Sequence, residues 1–242
     1  MGSDKARKAA LRRTLLAARA AVPPEEAASA GRRLARRALE LPELARARTV
    51  AAYVSVGREP GTRELLEALR ARGTAVLLPV LLADGDLDWA EYGGPDALRP
   101  AGRGLLEPAG PRLGPAAVRA AEAVLLPGLA VDGRGLRLGR GGGSYDRVLA
   151  RLAGESVPSG GVPCGGVPCG GGPSGGGPAG GGPAGNAPTD GVPASGVPAG
   201  GGPALVVLLY DGEVLDHVPA EPHDRPVTAA VTPSAVHRFP RP

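Results

Sequence analysis

The sequence predicts an α/β fold, a three-layer α/β/α sandwich on a mainly parallel sheet. Three continuous apolar runs carry this reading: Ala75-Val76-Leu77-Leu78-Pro79, Ala123-Val124-Leu125-Leu126-Pro127 and Leu205-Val206-Val207-Leu208-Leu209-Tyr210. Strands that are apolar on both faces belong to sheets covered on both sides. The segments between them carry helical periodicity, so strands and helices alternate.

Residues 4–22 place Leu11, Leu15, Leu16 and Ala18 among lysines and arginines, a helix ended by Pro23-Pro24. Residues 25–40 form a second helix with Leu34, Ala38 and Leu39 inward. Residues 49–56 read as a strand. Thr62 is the expected cap of a helix reaching Arg72, which Gly73 stops. The run 75–79 is the second strand, and residues 87–92 read as a strand beside it. A Pro/Gly-rich connection leads to the strand 123–127. A glycine-rich loop follows, then a helix from near Ser144 with Val148, Leu149 and Leu152 on its apolar face. The strand 205–210 comes next, and residues 227–231 form a last short one.

Residues 155–204 stand apart. They are ten pentapeptides with proline fourth in each, from Pro158 to Pro203. Such a tract has no large apolar side chains for a core and loses donors at every proline, so a disordered surface insertion is expected. The remaining residues, 1–154 and 205–242, have the size of one domain. Both cysteines, Cys164 and Cys169, fall in the tract without accompanying histidines and read as free thiols of a reducing compartment. No apolar run reaches membrane-spanning length, and residues 1–19 are charged throughout, unlike a signal peptide. A cytoplasmic, monomeric enzyme is the expectation. The chain carries 28 Lys+Arg against 24 Asp+Glu, a net charge of +4. Aromatics make up 2% of it, which leaves little for base stacking, so an anionic small molecule is a better partner than nucleic acid.

The loop Leu136-Arg137-Leu138-Gly139-Arg140-Gly141-Gly142-Gly143-Ser144-Tyr145-Asp146-Arg147 is the most informative stretch. Glycines let the backbone approach a ligand, a helix N-terminus aims free N–H groups at it, and arginines suit phosphate. It lacks the Gly-Lys-Ser/Thr ending of a P-loop and the spacing of a dinucleotide fingerprint. Read alone, it fits either a polyphosphate site or a plain turn.

In its wider context, Leu125-Leu126-Pro127-Gly128-Leu129-Ala130-Val131-Asp132 followed by Gly135 and residues 137–147 resembles the 5-formyltetrahydrofolate cyclo-ligase family. Weaker pieces agree in order: Lys8-Ala9-Ala10-Leu11-Arg12, Glu59-Pro60-Gly61-Thr62, Glu107-Pro108, and Val218-Pro219-Ala220-Glu221-Pro222-His223-Asp224. The resemblance implies a Rossmann-like domain. It also implies a reaction in which ATP and 5-formyltetrahydrofolate give 5,10-methenyltetrahydrofolate, ADP and phosphate with Mg²⁺. It places Lys8 and Arg12 on the ATP phosphates. The nucleotide loop becomes Arg137, Leu138, Gly139, Arg140, Gly141, Gly142, Gly143, Ser144 and Tyr145. Residues 140–144 also meet the folate, together with Val54 and Glu59, the latter gripping the pterin ring. Arg140 stabilises the transferred phosphoryl group, and Asp146 and Asp224 hold the Mg²⁺.

Two departures from the family pattern bear on folate packing. Ser144 stands where a tyrosine is usual, and Arg103-Gly104 where an aromatic usually precedes the Glu-Pro pair. Trp89 or Tyr92 is open as a replacement stacking surface, although core packing is the favoured reading of each. These departures keep open a catalytically weak paralogue that binds folate, or docks a partner protein through the repeat. A sugar-phosphate isomerase or transferase on a related sheet is the other rival, but no acid/base pair lies near the loop.

Overall fold

The computed structural model describes residues 2–155, 202–222 and 224–240. Helices α1 (Gly2–Ala21) and α2 (Pro24–Ala38) meet at the two prolines, with Pro24 opening α2. Proline has no N–H to lose at a first helical turn and arrives with helical φ. A single turn, α3 (Pro42–Ala45), precedes β1 (Thr49–Ala51). The chain continues through α4 (Arg63–Ala71), β2 (Ala75–Leu81), β3 (Leu87–Glu91), β4 (Leu98–Pro100) and β5 (Leu106–Pro108). It then forms β6 (Ala123–Pro127), β7 (Ala130–Asp132), β8 (Arg137–Leu138) and α5 (Ser144–Leu152). Starting on the last residue of the repeat, β9 (Ala204–Leu208) follows, then β10 (Val214–Leu215), β11 (Ala229–Val231) and β12 (Val236–Arg238).

The main sheet runs β12-β11-β9-β6-β1-β2-β3. The inner five strands are parallel, and the edges β3 and β12 antiparallel. The α/β expectation therefore holds. β9 pairs with β6 from Ala123↔Ala204 to Pro127↔Leu208, so chain from both sides of the repeat builds one sheet. The last residue of the expected insertion, Ala204, is instead buried in β9, because it continues the pairing with Ala123; the expected disorder of residues 156–201 and the two cysteines lie outside the described residues.

The sheet's two faces bury separate clusters, as period-2 alternation requires. Val50, Leu125, Val206 and Leu208 pack under Leu34, Leu65, Leu66 and Leu69 of α2 and α4. Ala51, Val124, Leu126 and Val207 pack under Val148 and Leu149 of α5, with Trp89 fully buried beside them. Tyr92 is buried in the first cluster, so both are core residues. None of the described helices is long and apolar enough to cross a membrane.

Three local expectations need correction. The strand expected at 49–56 keeps ladder pairing only to Ala51. Beyond it the Thr62 hydroxyl takes over, donating to the Tyr53 carbonyl (2.8 Å) and accepting from the Ser55 amide (2.9 Å). Thr62 therefore does not cap α4 with its side chain; it fastens the segment that leaves the sheet. The strand expected at 227–231 is shortened to β11, because the Val227 amide bonds Gly135 instead (2.8 Å) and Thr228 bonds Leu205. It is also not the last strand, since β12 follows it.

A smaller sheet, β10-β7-β8, sets the entry to the glycine loop. Its hub is Asp132, which is fully buried. One carboxylate oxygen accepts from the Arg134 amide (3.0 Å) and the Leu136 amide (3.2 Å). The other accepts from the Val218 amide (3.0 Å) and the Arg134 guanidinium (3.0 and 2.7 Å). Gly135 completes the turn at φ +78°, where a Cβ would stand 2.6 Å from the Val227 carbonyl. Only glycine fits there. Burial opposes ionisation of Asp132, but its hydrogen bonds, led by that from Arg134, outweigh this and hold the carboxyl below its usual range. A lowered folded-state pKa gives stability that is present above the unfolded value and lost as pH falls through the folded one. Asp132→Asn is thus expected to lower the melting temperature at neutral pH. The gap between variant and wild type should close in acid, as melting curves across pH will show; a gap unchanged by acid refutes the role given to the charge.

Candidate active site

A cavity of about 350 Å³ opens beyond the carboxyl ends of β1, β2 and β6, where Tyr53, Val54, Val56, Glu59, Leu81 and Pro127 meet the glycine loop. Ligands of open parallel sheets bind at this end. The loop reaches the cavity because β8 runs antiparallel to β7 and delivers residues 139–143 to the start of α5. Gly143 is the N-cap of α5 at φ +77°, and Gly141 has φ +93°. The left-handed glycines turn the loop so that the helix's first amides and positive dipole end face it.

Arg137 is nearly buried and donates to the Pro127 carbonyl (2.8 Å) and to Asp146 (3.1 Å). Its Nε is buried without a partner, and burial lowers its pKa from the ordinary arginine value. Arg140 is half-exposed and donates to Glu59 (3.3 Å), whose other oxygen accepts the Val56 amide (2.9 Å). The hydroxyls of Tyr53 and Tyr145 are buried with no hydrogen-bond partner, and burial pushes both pKa values up, so both stay protonated donors. Buried polar atoms are ordinarily satisfied. Three that are not, Tyr53 Oη, Tyr145 Oη and Arg137 Nε, belong to residues lining this one cavity.

Of the residues singled out from the sequence, Val54, Glu59, Arg137, Gly139, Arg140, Gly141, Gly142, Gly143, Ser144, Tyr145 and Asp146 line the cavity. Leu138, Lys8, Arg12 and Asp224 do not. Leu138 packs its side chain with Leu15, Leu129 and Val218, which leaves only its backbone for a ligand. Arg12 donates to the Gly139 carbonyl (2.8 Å), and its guanidinium lies 3.4 Å from where a Cβ on Gly141 would stand. Lys8 is held by Glu221 and Asp224, both at 2.7 Å. Burial works against its charge, but the two carboxylates outweigh it and raise its pKa.

The sequence reading missed the buried Arg19. It makes a two-pronged bond to Glu213 (2.7 and 2.8 Å), donates to the Gly128 carbonyl (2.6 Å) and lies over the Tyr210 ring. Lys8, Arg12, Leu15 and Arg19 recur at helical spacing, so this inward stripe was readable once charges were admitted to it. Also missed was the latch of Arg151 on Asp86 (2.6 Å) and of Arg147 on the Asp84 carbonyl (2.7 Å). It fastens the turn between β2 and β3, whose Gly85 lines the cavity, to α5.

The donor set suits a nucleotide. Amides at a helix mouth, a side-chain-free cradle and arginines are what phosphates bind. For Mg²⁺, the half-exposed Asp146 offers a hard carboxylate oxygen beside that cradle. Among the described residues no three metal-binding side chains cluster, but Mg²⁺ is commonly held by one or two carboxylates plus substrate phosphates, so the residues fit.

Comparison with known proteins identifies the family. Residues 4–162 match the model of the 5-formyltetrahydrofolate cyclo-ligase family. A 5-formyltetrahydrofolate cyclo-ligase of Mycolicibacterium smegmatis is 34% identical over 191 residues, covering 77% of this chain and 74% of that protein. One from Escherichia coli is 33% identical over 133 residues, covering 54% and 73%. The fold matches the solution structure of Aquifex aeolicus 5,10-methenyltetrahydrofolate synthetase with a TM-score of 0.67 at 22% identity, covering 97% of this chain and 94% of the other. With the glycine loop, the sheet-end cavity and these matches in agreement, the chain belongs to the 5-formyltetrahydrofolate cyclo-ligase family.

Proposed function

We propose that this chain uses ATP to cyclise 5-formyltetrahydrofolate to 5,10-methenyltetrahydrofolate, releasing ADP and phosphate. The single observation that carries the reading is the cluster of unpartnered buried donors in one cavity whose rim is a phosphate-type loop. The formyl oxygen attacks the γ-phosphorus, because an amide-like oxygen leaves only once phosphorylated. N10 then closes on the activated carbon. The chemistry asks mainly for positioning and charge neutralisation, and the cavity offers no nucleophile–base pair that argues otherwise.

The loop amides of residues 139–145 hold the phosphates, with Leu138 contributing through its backbone and Arg12 bracing the loop from behind. Arg140 neutralises the phosphoryl group in transfer. Glu59, fixed by the Val56 amide, accepts from the pterin N–H edge, and Val54 forms part of the ring's wall. Lys8 reaches the nucleotide only by leaving Glu221 and Asp224. Asp146 and Asp224 would hold Mg²⁺, which when bound screens phosphate charge. Residues 1–154 and 205–242 form one domain, into which 155–204 is inserted; the continuous β6–β9 pairing supports this.

The test is direct. Purified chain, ATP, Mg²⁺ and 5-formyltetrahydrofolate should produce the near-ultraviolet absorbance of the methenyl product, with one ADP per product. Folate binding by calorimetry with no ATP consumption overturns the reading in favour of a non-catalytic binder.

A further inference from the structure

Glu107 on β5 belongs to a Glu-Pro pair that the proposed roles leave unused. It lines the cavity among Val56, Leu81, Leu87, Leu105 and Leu106, an apolar wall suited to a flat heterocycle, whereas the glycine loop and its arginines form the polar one. One of its oxygens accepts the Leu81 amide (3.0 Å). Three carboxylates line the cavity. Asp146 pairs with Arg137 and Glu59 with Arg140; Glu107 has no ion pair among the described residues, because Arg99, its partner across the β4–β5 ladder, donates its guanidinium N–H groups to the Asp96 and Leu98 carbonyls instead. A glutamine would satisfy the Leu81 amide equally well, so that bond does not explain the charge. A carboxylate left uncompensated on an apolar wall is costly unless a ligand brings the opposite sign.

The cyclisation proposed above generates that sign, and the inference rests on it. As N10 adds to the phosphorylated formyl carbon, its N–H proton passes to the departing phosphate. The carbon–oxygen bond breaks with its electron pair going to the phosphate oxygen. The positive charge left behind is shared between N5 and N10. The substrate is neutral at those atoms, and the product is an amidinium cation. We propose that Glu107 is the counter-charge for this amidinium, a catalytic carboxylate that favours the ring-closed cation over the open formyl compound. A fixed charge aimed at where charge develops lowers the barrier to forming it.

The experiment is a pair of titrations of the full chain without nucleotide, in mildly acidic buffer where the amidinium persists. One ligand is 5,10-methenyltetrahydrofolate, the other 5-formyltetrahydrofolate. Wild type should prefer the cation. Glu107→Gln, which keeps an acceptor for Leu81, should lose about tenfold of that preference while its affinity for the formyl compound stays within about twofold. Equal losses for both ligands, as a purely structural role predicts, overturn the proposal. Should the variant fail to fold, the wild type alone decides: equal affinity for the two ligands overturns it as well. Failure of the parent reading looks different. A chain that prefers the cation through Glu107 yet consumes no ATP refutes the activity and leaves the counter-charge standing.

Discussion

Arg140→Ala is expected to lower turnover by about 100-fold, as loss of a charge-stabilising donor in group transfer does. The ligand-free geometry makes this prediction separable from stability. Arg140 is half-exposed and its one ion pair is with Glu59 at 3.3 Å. Only the arginine side of the pair is open to solvent; the Glu59 side chain is 9% exposed, so losing its partner should cost about 1–3 kcal/mol and lower the melting temperature by roughly 3–10 °C, which leaves the chain folded at assay temperature. Glu59 keeps its bond from the Val56 amide when Arg140 is lost, so the pterin-gripping carboxylate stays in place. The affinity for 5-formyltetrahydrofolate should therefore fall far less than kcat. Steady-state kinetics beside a melting curve decide the matter. A fall in kcat matched by an equal fall in stability shows instead that Arg140 is a structural residue.

Arg19→Met carries the largest expected loss of stability, and Arg19 is not among the residues that line the cavity. The side chain is 2% exposed and ties that end of α1 to the sheet through two bonds to Glu213 and one to the Gly128 carbonyl. Burial works against its charge, but Glu213 outweighs this and raises its pKa, so the cation is held at any working pH. Removing it strands a carboxylate that is itself nearly buried. Breaking one side of such a pair costs about 3–5 kcal/mol, equivalent to roughly 10 °C in melting temperature for a domain of this size. The double change Arg19→Met with Glu213→Gln should recover part of that loss, since it removes the stranded charge and keeps an acceptor for the Tyr210 amide. If the single variant melts with wild type, the pair is not the tie that holds α1 to the sheet.

Much of the site was legible in the order of residues because its chemistry is local. The glycines at 141 and 143, the helix start at Ser144 and Asp146 in its first turn follow one another within a few positions, and their roles come from backbone conformation and dipole direction. What escaped was the contribution of side chains whose partners are distant in sequence. Arg19 reads as one more surface arginine until Glu213, 194 positions on, is brought to it. Thr62 reads as a helix cap until the strand end at Tyr53 and Ser55 claims its hydroxyl. Glu107 reads as half of a dipeptide until β5 seats it in the cavity wall.

The alternation of apolar strands with amphipathic helices, hence the covered parallel sheet, and the glycine-rich helix mouth at the phosphate end were both written in the residue order. Those features depend on periodicity and on backbone freedom, which are properties of neighbouring residues. Which charges are paired and which are left for a ligand emerged with the folded arrangement. Pairing depends on side chains converging through space, and the desolvation that makes an unpaired donor or carboxylate meaningful exists only once the chain has closed around it.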